Sequence, residues 1–277
     1  MRKAKYAGAF YPADKEHLKK FIEYSFTGVN IDKFKGNKIF GGIAPHAGYA
    51  YSGKTASYFY KILKNGSFDF DIVVLIGTNH SSFGRIVVNT EDFEMPFGNV
   101  KTSAFASELA NRLNANNEED EHSLEVQLPF LQYSLEKKVF EIIPLILGDI
   151  SYEKARKIAQ IIFELVKDKK VLVIASGDFT HFGNNYGFLP FPADENANEK
   201  VKKIDNEAIE QIVAMNTEKF LEKAEKTTIC GTGAFAVAIE LCRLLGAKKG
   251  ELLHYTTSSD ISHDFSNIVG YGSLVFI

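Results

Sequence analysis

Four continuous apolar runs constrain the fold of this chain most strongly. They are IFGGIA at 39–44, DIVVLIG at 71–77, VFEIIPLIL at 139–147 and KVLVIAS at 170–176. Their apolar residues are consecutive rather than alternating, which is typical of strands covered on both faces. Helical apolar patterns at 152–167 and 232–245, and strand-like patterns at 251–257 and 267–276, accompany them. The sequence therefore predicts an α/β fold: a single layered domain with a central, mostly parallel sheet flanked by helices.

Length, charge and cysteine content narrow the class of protein. A chain of 277 residues leaves one large domain or two small ones open, and the segment 183–198 resembles a linker most. Polar motifs stand on both sides of this segment. They favour a single domain that spans residues 1–277, with 183–198 as a loop packed on its surface. A net charge of −3 lacks the basic excess of nucleic-acid binders, and no apolar run approaches the ~20 residues of a membrane span. Only two cysteines are present, so we expect a reducing compartment, the cytoplasm.

A histidine follows three of the apolar runs, where each predicted strand ends. His46 follows the first run, His80 the second, and Asp178 and His181 the fourth. Ligands bind outside the carboxyl ends of parallel strands, so neighbouring strands would bring these side chains into one pocket. One such histidine alone is more often a helix cap or a hydrogen-bonded loop residue. Three of the seven histidines at equivalent places predict a shared site.

Two further candidates lie outside the strand ends. His122 and Glu125 are three residues apart and share a face if a helix begins there, although a capping role explains His122 equally well. The acidic stretch 116–121 is typical of a solvated loop. Cys230 comes just before an apolar helix, where the helix N-terminus would lower the pKa of its thiol and favour metal binding. Cys242, inside that helix, is expected to be a small hydrophobic residue.

These residues leave several chemistries open. Two imidazoles and one anionic ligand make the donor set of mononuclear non-haem Fe(II) sites, and a thiolate shifts the preference toward zinc or copper. Ser176, Asp178 and His181 leave a Ser-His-Asp hydrolase conceivable, although G-x-S-x-G is absent. The segment 231–236 matches G-x-G-x-x-A, with Glu251 about twenty residues on, but no buried strand precedes it. We treat that dinucleotide-type match as chance.

Longer motifs resemble one known family. They are FYP at 10–12, PHAGYAYSG at 45–53, GTNH at 77–80, EHSLEVQLPFLQY at 121–133, SGDFTHFG at 176–183, TICG at 228–231 and SSDISHD at 258–264. Along nearly its whole length the chain is similar to the Memo family, whose bacterial and archaeal members are also called AmmeMemoRadiSam system protein B. It departs from the expected pattern at Thr78, Gly177 and His263, where proline, serine and glycine are expected, and none of these removes a proposed ligand.

The resemblance implies a fold similar to class III extradiol dioxygenases, which carry Fe(II) on two histidines and a glutamate. By motif position, His46 and His80 match the two histidine ligands, and Cys230 stands where those enzymes place the glutamate. His181, Asp178 and His122 match pocket residues that would act in acid–base catalysis. His181 would move a proton, and a carboxylate such as Asp178 would fix its tautomer. Fe(II) is the implied cofactor, with copper or zinc as alternatives.

The function that follows is a redox or oxygen-dependent reaction on an unknown small molecule at that metal, with enzyme activity itself left open. The alternative is a non-catalytic binding or signalling module that recognises a peptide or an anion in the same pocket. The AmmeMemoRadiSam name adds a role beside a radical-SAM protein. Neither a nucleic acid nor a membrane is expected as a partner.

Overall fold

The computed structural model describes residues 1–66, 68–80, 85–117, 121–136 and 138–277. Its strands are β1 (Arg2–Lys3), β2 (Gly41–Ala44), β3 (Ile72–Thr78), β4 (Val87–Val88), β5 (Phe93–Met95), β6 (Gly98–Thr102), β7 (Glu141–Leu147), β8 (Val171–Ser176), β9 (His181–Gly183), β10 (Gly250–Thr257) and β11 (Asn267–Phe276). Its helices are α1 (Lys15–Phe26), α2 (Tyr49–Asn65), α3 (Ala104–Leu113), α4 (His122–Glu125), α5 (Leu128–Ser134), α6 (Tyr152–Val166), α7 (Ala197–Val213), α8 (Thr217–Ala224), α9 (Thr232–Leu245) and α10 (Ser259–Ser262).

The strands join one sheet in the order β1-β5-β6-β7-β3-β8-β2-β11-β10. Neighbours from β6 to β2 run parallel, and β11 is antiparallel to β2 and β10. The central strands β7, β3, β8 and β2 are the four apolar runs, each within two residues of its predicted bounds. The predicted α/β fold with a mostly parallel central sheet is confirmed.

Helices cover both faces of this sheet, which explains why its central strands are apolar at every position. On one face, strand residues such as Val74 and Val173 pack with α3, α6, α8 and α9. On the other face, their neighbours Val73 and Leu172 pack with α1, α2 and α5. Successive strand residues point to opposite faces, so a consecutive apolar run supplies both cores at once.

The segment 183–198 is anchored on the surface rather than extended as a linker. The Phe191 ring stacks on the buried Phe182 ring, with 4.7 Å between the ring centres. This agrees with the packed loop expected there, while the single domain over 1–277 stays a prediction. Among the described residues, no helix combines the length and the apolar character needed to cross a membrane.

Strand order places the polar strand ends side by side. Strand β8 lies between β3 and β2, and all three are parallel, so their carboxyl ends meet at one edge of the sheet. His46, His80 and Asp178 each follow one of these three ends. Their common pocket is therefore a consequence of strand order.

Candidate metal centre

A buried hydrogen-bond network holds the three strand ends together. Gln127 Nε2 donates to the Pro45 carbonyl at 2.9 Å and to Ser176 Oγ at 2.8 Å. Ser176 Oγ donates to the Ser123 carbonyl at 2.5 Å. Ser123 Oγ donates to the Thr78 carbonyl at 3.0 Å. The α4–α5 segment thus links the ends of β2, β3 and β8, the strands that the histidines follow, by hydrogen bonds.

His46 is buried and its ring orientation is fixed from both sides. Its backbone N–H donates to Asp178 Oδ1 at 2.8 Å. Its ring Nδ1 lies 3.3 Å from Ser176 Oγ, whose own proton goes to the Ser123 carbonyl. Nδ1 is therefore the donor, and Nε2 presents a lone pair to the pocket. Burial, together with nearby His122 and His80, lowers the pKa of His46 and keeps its ring neutral.

His80 and His122 share one carboxylate, that of Glu121. His80 Nδ1 lies 3.0 Å and His122 Nδ1 3.1 Å from Glu121 Oε1. The Glu121 side chain is only 1% exposed, so the expectation of a solvated loop at 116–121 is wrong at this residue. Residues 118–120 lie outside the described residues. The sequence had no local signal for this burial, because Glu121 ends an acidic run and is buried only by partners from other elements.

One ring nitrogen each from His46, His80 and His122 lie within 4.8 Å of one another, a group that could hold a metal ion. The ring centres are 5.1 Å apart for His46 and His80, 5.0 Å for His46 and His122, and 4.7 Å for His80 and His122. His46 lies at the buried end, and the His80 side chain is 36% exposed. The cluster therefore opens to solvent on the His80 side.

Cys230 lies next to His46. Its Sγ is 3.2 Å from His46 Nε2 and accepts the Asp178 backbone N–H at 3.2 Å. Sulfur and nitrogen ligands of one tetrahedral metal lie about 3.5 Å apart, so this spacing suits a shared ligand role as well as a hydrogen bond. The expectation that the helix N-terminus lowers the pKa of the Cys230 thiol is wrong. Burial and the charge of Asp178 raise this pKa. The predicted ligand set and the histidine cluster share His46 and His80, and the ligand role of Cys230 stays a prediction.

Asp178 contacts the cluster, with its Oδ2 4.0 Å from His46 Nε2, but Asp178 is not the partner of His181 Nδ1 that was expected. His181 Nδ1 lies 3.0 Å from the Phe179 carbonyl and 3.2 Å from the Thr228 carbonyl. These two carbonyls, rather than Asp178, take the Nδ1 proton and fix the tautomer, which leaves Nε2 free to accept a proton. Burial lowers the pKa of His181 to about 4 and raises the pKa of Asp178 to about 7.

Aromatic rings from the N-terminal segment form one wall of the pocket. The Phe10 ring lies 4.6 Å and the Tyr6 ring 5.6 Å from the His122 ring, centre to centre. Glu125 holds this segment, since it accepts the Tyr6 backbone N–H at 2.7 Å and the Tyr11 hydroxyl at 2.8 Å. The FYP motif at 10–12 was the only sequence signal for this wall.

The competing chemistries find no support in the geometry. Ser176 Oγ bonds His46, Gln127 and Ser123, so it is not the nucleophile of a Ser176–His181 pair. In the G-x-G-x-x-A segment, Gly233 packs so closely on the Gly148 carbonyl that a Cβ would lie 2.1 Å from it. Gly233 therefore allows α9 to pack closely on Gly148, which explains this glycine without a dinucleotide.

Comparisons with known proteins cover the whole chain. A family model described as Memo-like protein matches residues 2–275. A MEMO1 family protein of Nitrosopumilus maritimus is 38% identical over 100% of this chain and 100% of its own. A MEMO1 family protein of Pyrococcus furiosus is 38% identical over 99% of this chain and 98% of its own. A MEMO1 family protein of Methanopyrus kandleri is 35% identical over 98% of this chain and 96% of its own. A solved structure of an uncharacterized Escherichia coli K12 protein, 12% identical, has a TM-score of 0.49 over 86% of this chain and all of that chain.

Proposed function

Because this chain belongs to the Memo-like protein family, we propose that its histidine cluster binds a metal ion for a redox or oxygen-dependent reaction on a small molecule. One observation carries the proposal: a ring nitrogen from each of His46, His80 and His122 lies within 4.8 Å of the other two. The Nδ1 atoms of these rings face Ser176 and Glu121, so their Nε2 atoms are available for a metal.

The donor chemistry of the site fits the metal ions implied by the family resemblance. Neutral imidazoles bind iron, copper and zinc, and a neighbouring thiol adds affinity for copper and zinc. We propose Fe(II), by the likeness to class III extradiol dioxygenases, with copper or zinc as alternatives. When bound, such a metal supplies open coordination positions for a substrate and for oxygen.

The residues around the cluster would transfer protons and exclude water. His181 is neutral and its Nε2 is free, so it accepts a proton from a substrate hydroxyl. Asp178, with its pKa raised to about 7 by burial, holds or releases a proton near neutral pH. Phe10 and Tyr6 exclude water on the His122 side.

The alternative, a module that recognises a peptide or an anion, has weaker support. Burial keeps His46 and His181 neutral, while hydrogen bonds from His122 and His80 outweigh the opposing effect of burial and lower the pKa of Glu121. Glu121 therefore places a buried carboxylate behind two of the rings, which favours a metal cation over an anion. Both cysteines are free thiols, which agrees with our proposal of a cytoplasmic location; a radical-SAM protein remains a proposed partner.

Metal analysis after anaerobic purification tests the ligand assignment. We expect His80→Ala to lose most of the bound metal, because it removes one of three clustered nitrogens. His17→Ala is the matched control, since the His17 side chain is 77% exposed on α1, and it should keep its metal. Stoichiometric metal in a triple His46, His80 and His122 to alanine variant would contradict the proposal.

A second experiment separates the enzyme from the binding module. We expect Fe(II) added to metal-free protein to start oxygen consumption in a screen of electron-rich phenols. Phosphopeptide binding that a chelator leaves unchanged, without oxygen consumption, would favour the binding module instead.

A further inference from the structure

We propose that Glu121 is a positioning residue that holds His80 and His122 in their metal-binding tautomers simultaneously, an inference that rests on the metal site proposed above. Nothing in the sequence pattern assigned Glu121 this role. Its two side-chain oxygens contact both rings and two backbone amides.

The contacts of Glu121 leave little freedom in the two rings. Oε1 lies 3.0 Å from His80 Nδ1 and 3.1 Å from His122 Nδ1. Oε2 accepts the His80 backbone N–H at 2.9 Å, and Oε1 accepts the Ser123 backbone N–H at 2.9 Å. A single buried carboxylate thus fixes the side chain of one ligand, its backbone and the start of the helix that carries the other ligand.

Both side-chain oxygens of Glu121 accept a backbone N–H, so each ring meets an acceptor at Nδ1 and carries its proton there. Each ring then has its lone pair on Nε2. The rings of His80 and His122 stack with 4.7 Å between their centres and 19° between their planes, and one nitrogen of each lies within 4.8 Å of the other and of one from His46. The negative charge behind the rings also makes both nitrogens better donors to a cation.

A purely structural role for Glu121 is the competing explanation. As the N-cap of α4, its side chain accepts the Ser123 N–H, and loss of a cap costs stability without any effect on tautomers. The two roles are separable because Glu121→Asp keeps the charge and the cap, while a side chain one methylene shorter cannot reach both rings. Glu121→Gln keeps the reach but replaces one acceptor oxygen with a donor group.

Metal affinity is the first readout, measured by chelator competition with Zn(II) and, anaerobically, with Fe(II). We expect Glu121→Gln to weaken binding ~10–100-fold, in the range seen when groups that hold metal ligands are removed. We expect Glu121→Asp to weaken binding at least several-fold with little change in thermal stability. Glu240→Gln is the matched control, a buried glutamate on α9 that bonds Thr217 and Arg243 rather than a histidine, and it should bind within about twofold of the unchanged protein.

Imidazole ¹⁵N NMR of the metal-free protein is the second readout, which a structural cap would not move. We expect both His80 and His122 as Nδ1–H tautomers in the unchanged protein, and one of them as Nε2–H in Glu121→Gln. An Nε2–H tautomer in the unchanged protein, unaltered affinity in Glu121→Gln, or equal losses in Glu240→Gln would overturn the inference. If the unchanged protein binds no metal but shows the two Nδ1–H tautomers, the proposed function fails while the positioning of the rings by Glu121 stands.

Discussion

Three buried carboxyl groups differ in pKa because their hydrogen-bond donors differ. Burial raises the pKa of Asp178 to about 7 and of Asp205 to about 6. At Glu121 burial acts in the same direction, but the hydrogen bonds from His122 and His80 outweigh it and lower the pKa. A buried carboxyl group is therefore an anion where two histidines donate to it and a readily protonated acid where they do not.

Asp205 provides a pH-dependent stability test away from the proposed ligands. It is buried, and it accepts the Thr180 backbone N–H at 3.1 Å and the Tyr255 hydroxyl at 2.5 Å. Its folded-state pKa is raised from 3.8 to about 6, so its contribution is full below pH 3.8 and is lost as pH rises through 6. Asp205→Asn does not titrate, and we expect its stability relative to the unchanged protein to rise by up to about 3 kcal/mol between pH 4 and pH 7.5. Urea unfolding of both proteins at the two pH values measures this, and a pH-independent difference would contradict it.

At the scale of elements, the short helix α4 decides where Glu121 and His122 lie. It docks on the end of β3, where Gly77 leaves room for the Ser123 hydroxyl and the Leu124 side chain. The hydroxyl of Ser123 then bonds the Thr78 backbone, and Gln127 continues the network to β2 and β8. The positions of the candidate ligand His122 and of its partner Glu121 thus depend on the absence of a side chain at Gly77.

Gly77→Ala tests this dependence. A Cβ at Gly77 would lie 2.4 Å from Ser123 Oγ and 2.8 Å from Leu124 Cδ2, so α4 must shift. We expect a loss of about 1–3 kcal/mol in the free energy of unfolding, together with weaker metal binding. Gly48→Ala is the control, because the nearest atom to its Cβ is 3.7 Å away and its φ of −52° suits alanine. Unchanged metal affinity in Gly77→Ala would show that α4 tolerates the shift.

At the scale of the whole molecule, the folding core and the proposed metal site are separate. Two large apolar cores lie on the two faces of the sheet, and the histidine cluster lies beyond the carboxyl ends of its strands. Burial in the two cores supplies the main driving force for folding. The fold should therefore form without metal, while metal binding adds stability by mass action.

Removal of the metal tests this separation. At a metal concentration of 100 times Kd, binding stabilises by about 2.7 kcal/mol, so we expect a chelator to lower Tm by roughly 5–10 °C. The far-UV circular dichroism at 25 °C should stay unchanged. Thermal melts with and without chelator measure both, and the triple-histidine alanine variant should show no shift. Loss of secondary structure on chelation would mean that the site contributes to the fold itself.

The sequence by itself determined the central strands and the polar residues at their ends. Burial on both faces requires apolar residues at consecutive positions, and this local pattern needs no knowledge of distant partners. The places of His46 and His80 followed from it, as did the expectation of a shared pocket. Residue motifs alone also indicated the family, which the family model and the relatives confirmed.

Only the tertiary structure decided what those residues meet. Strand order brings β3, β8 and β2 together, and Glu121 reaches His80 across 41 residues of chain. The charge of Glu121, the raised thiol pKa of Cys230 and the carbonyl partners of His181 all depend on burial and on atoms from other elements. Desolvation and hydrogen bonding are properties of the folded environment, so no local pattern in the chain encodes them.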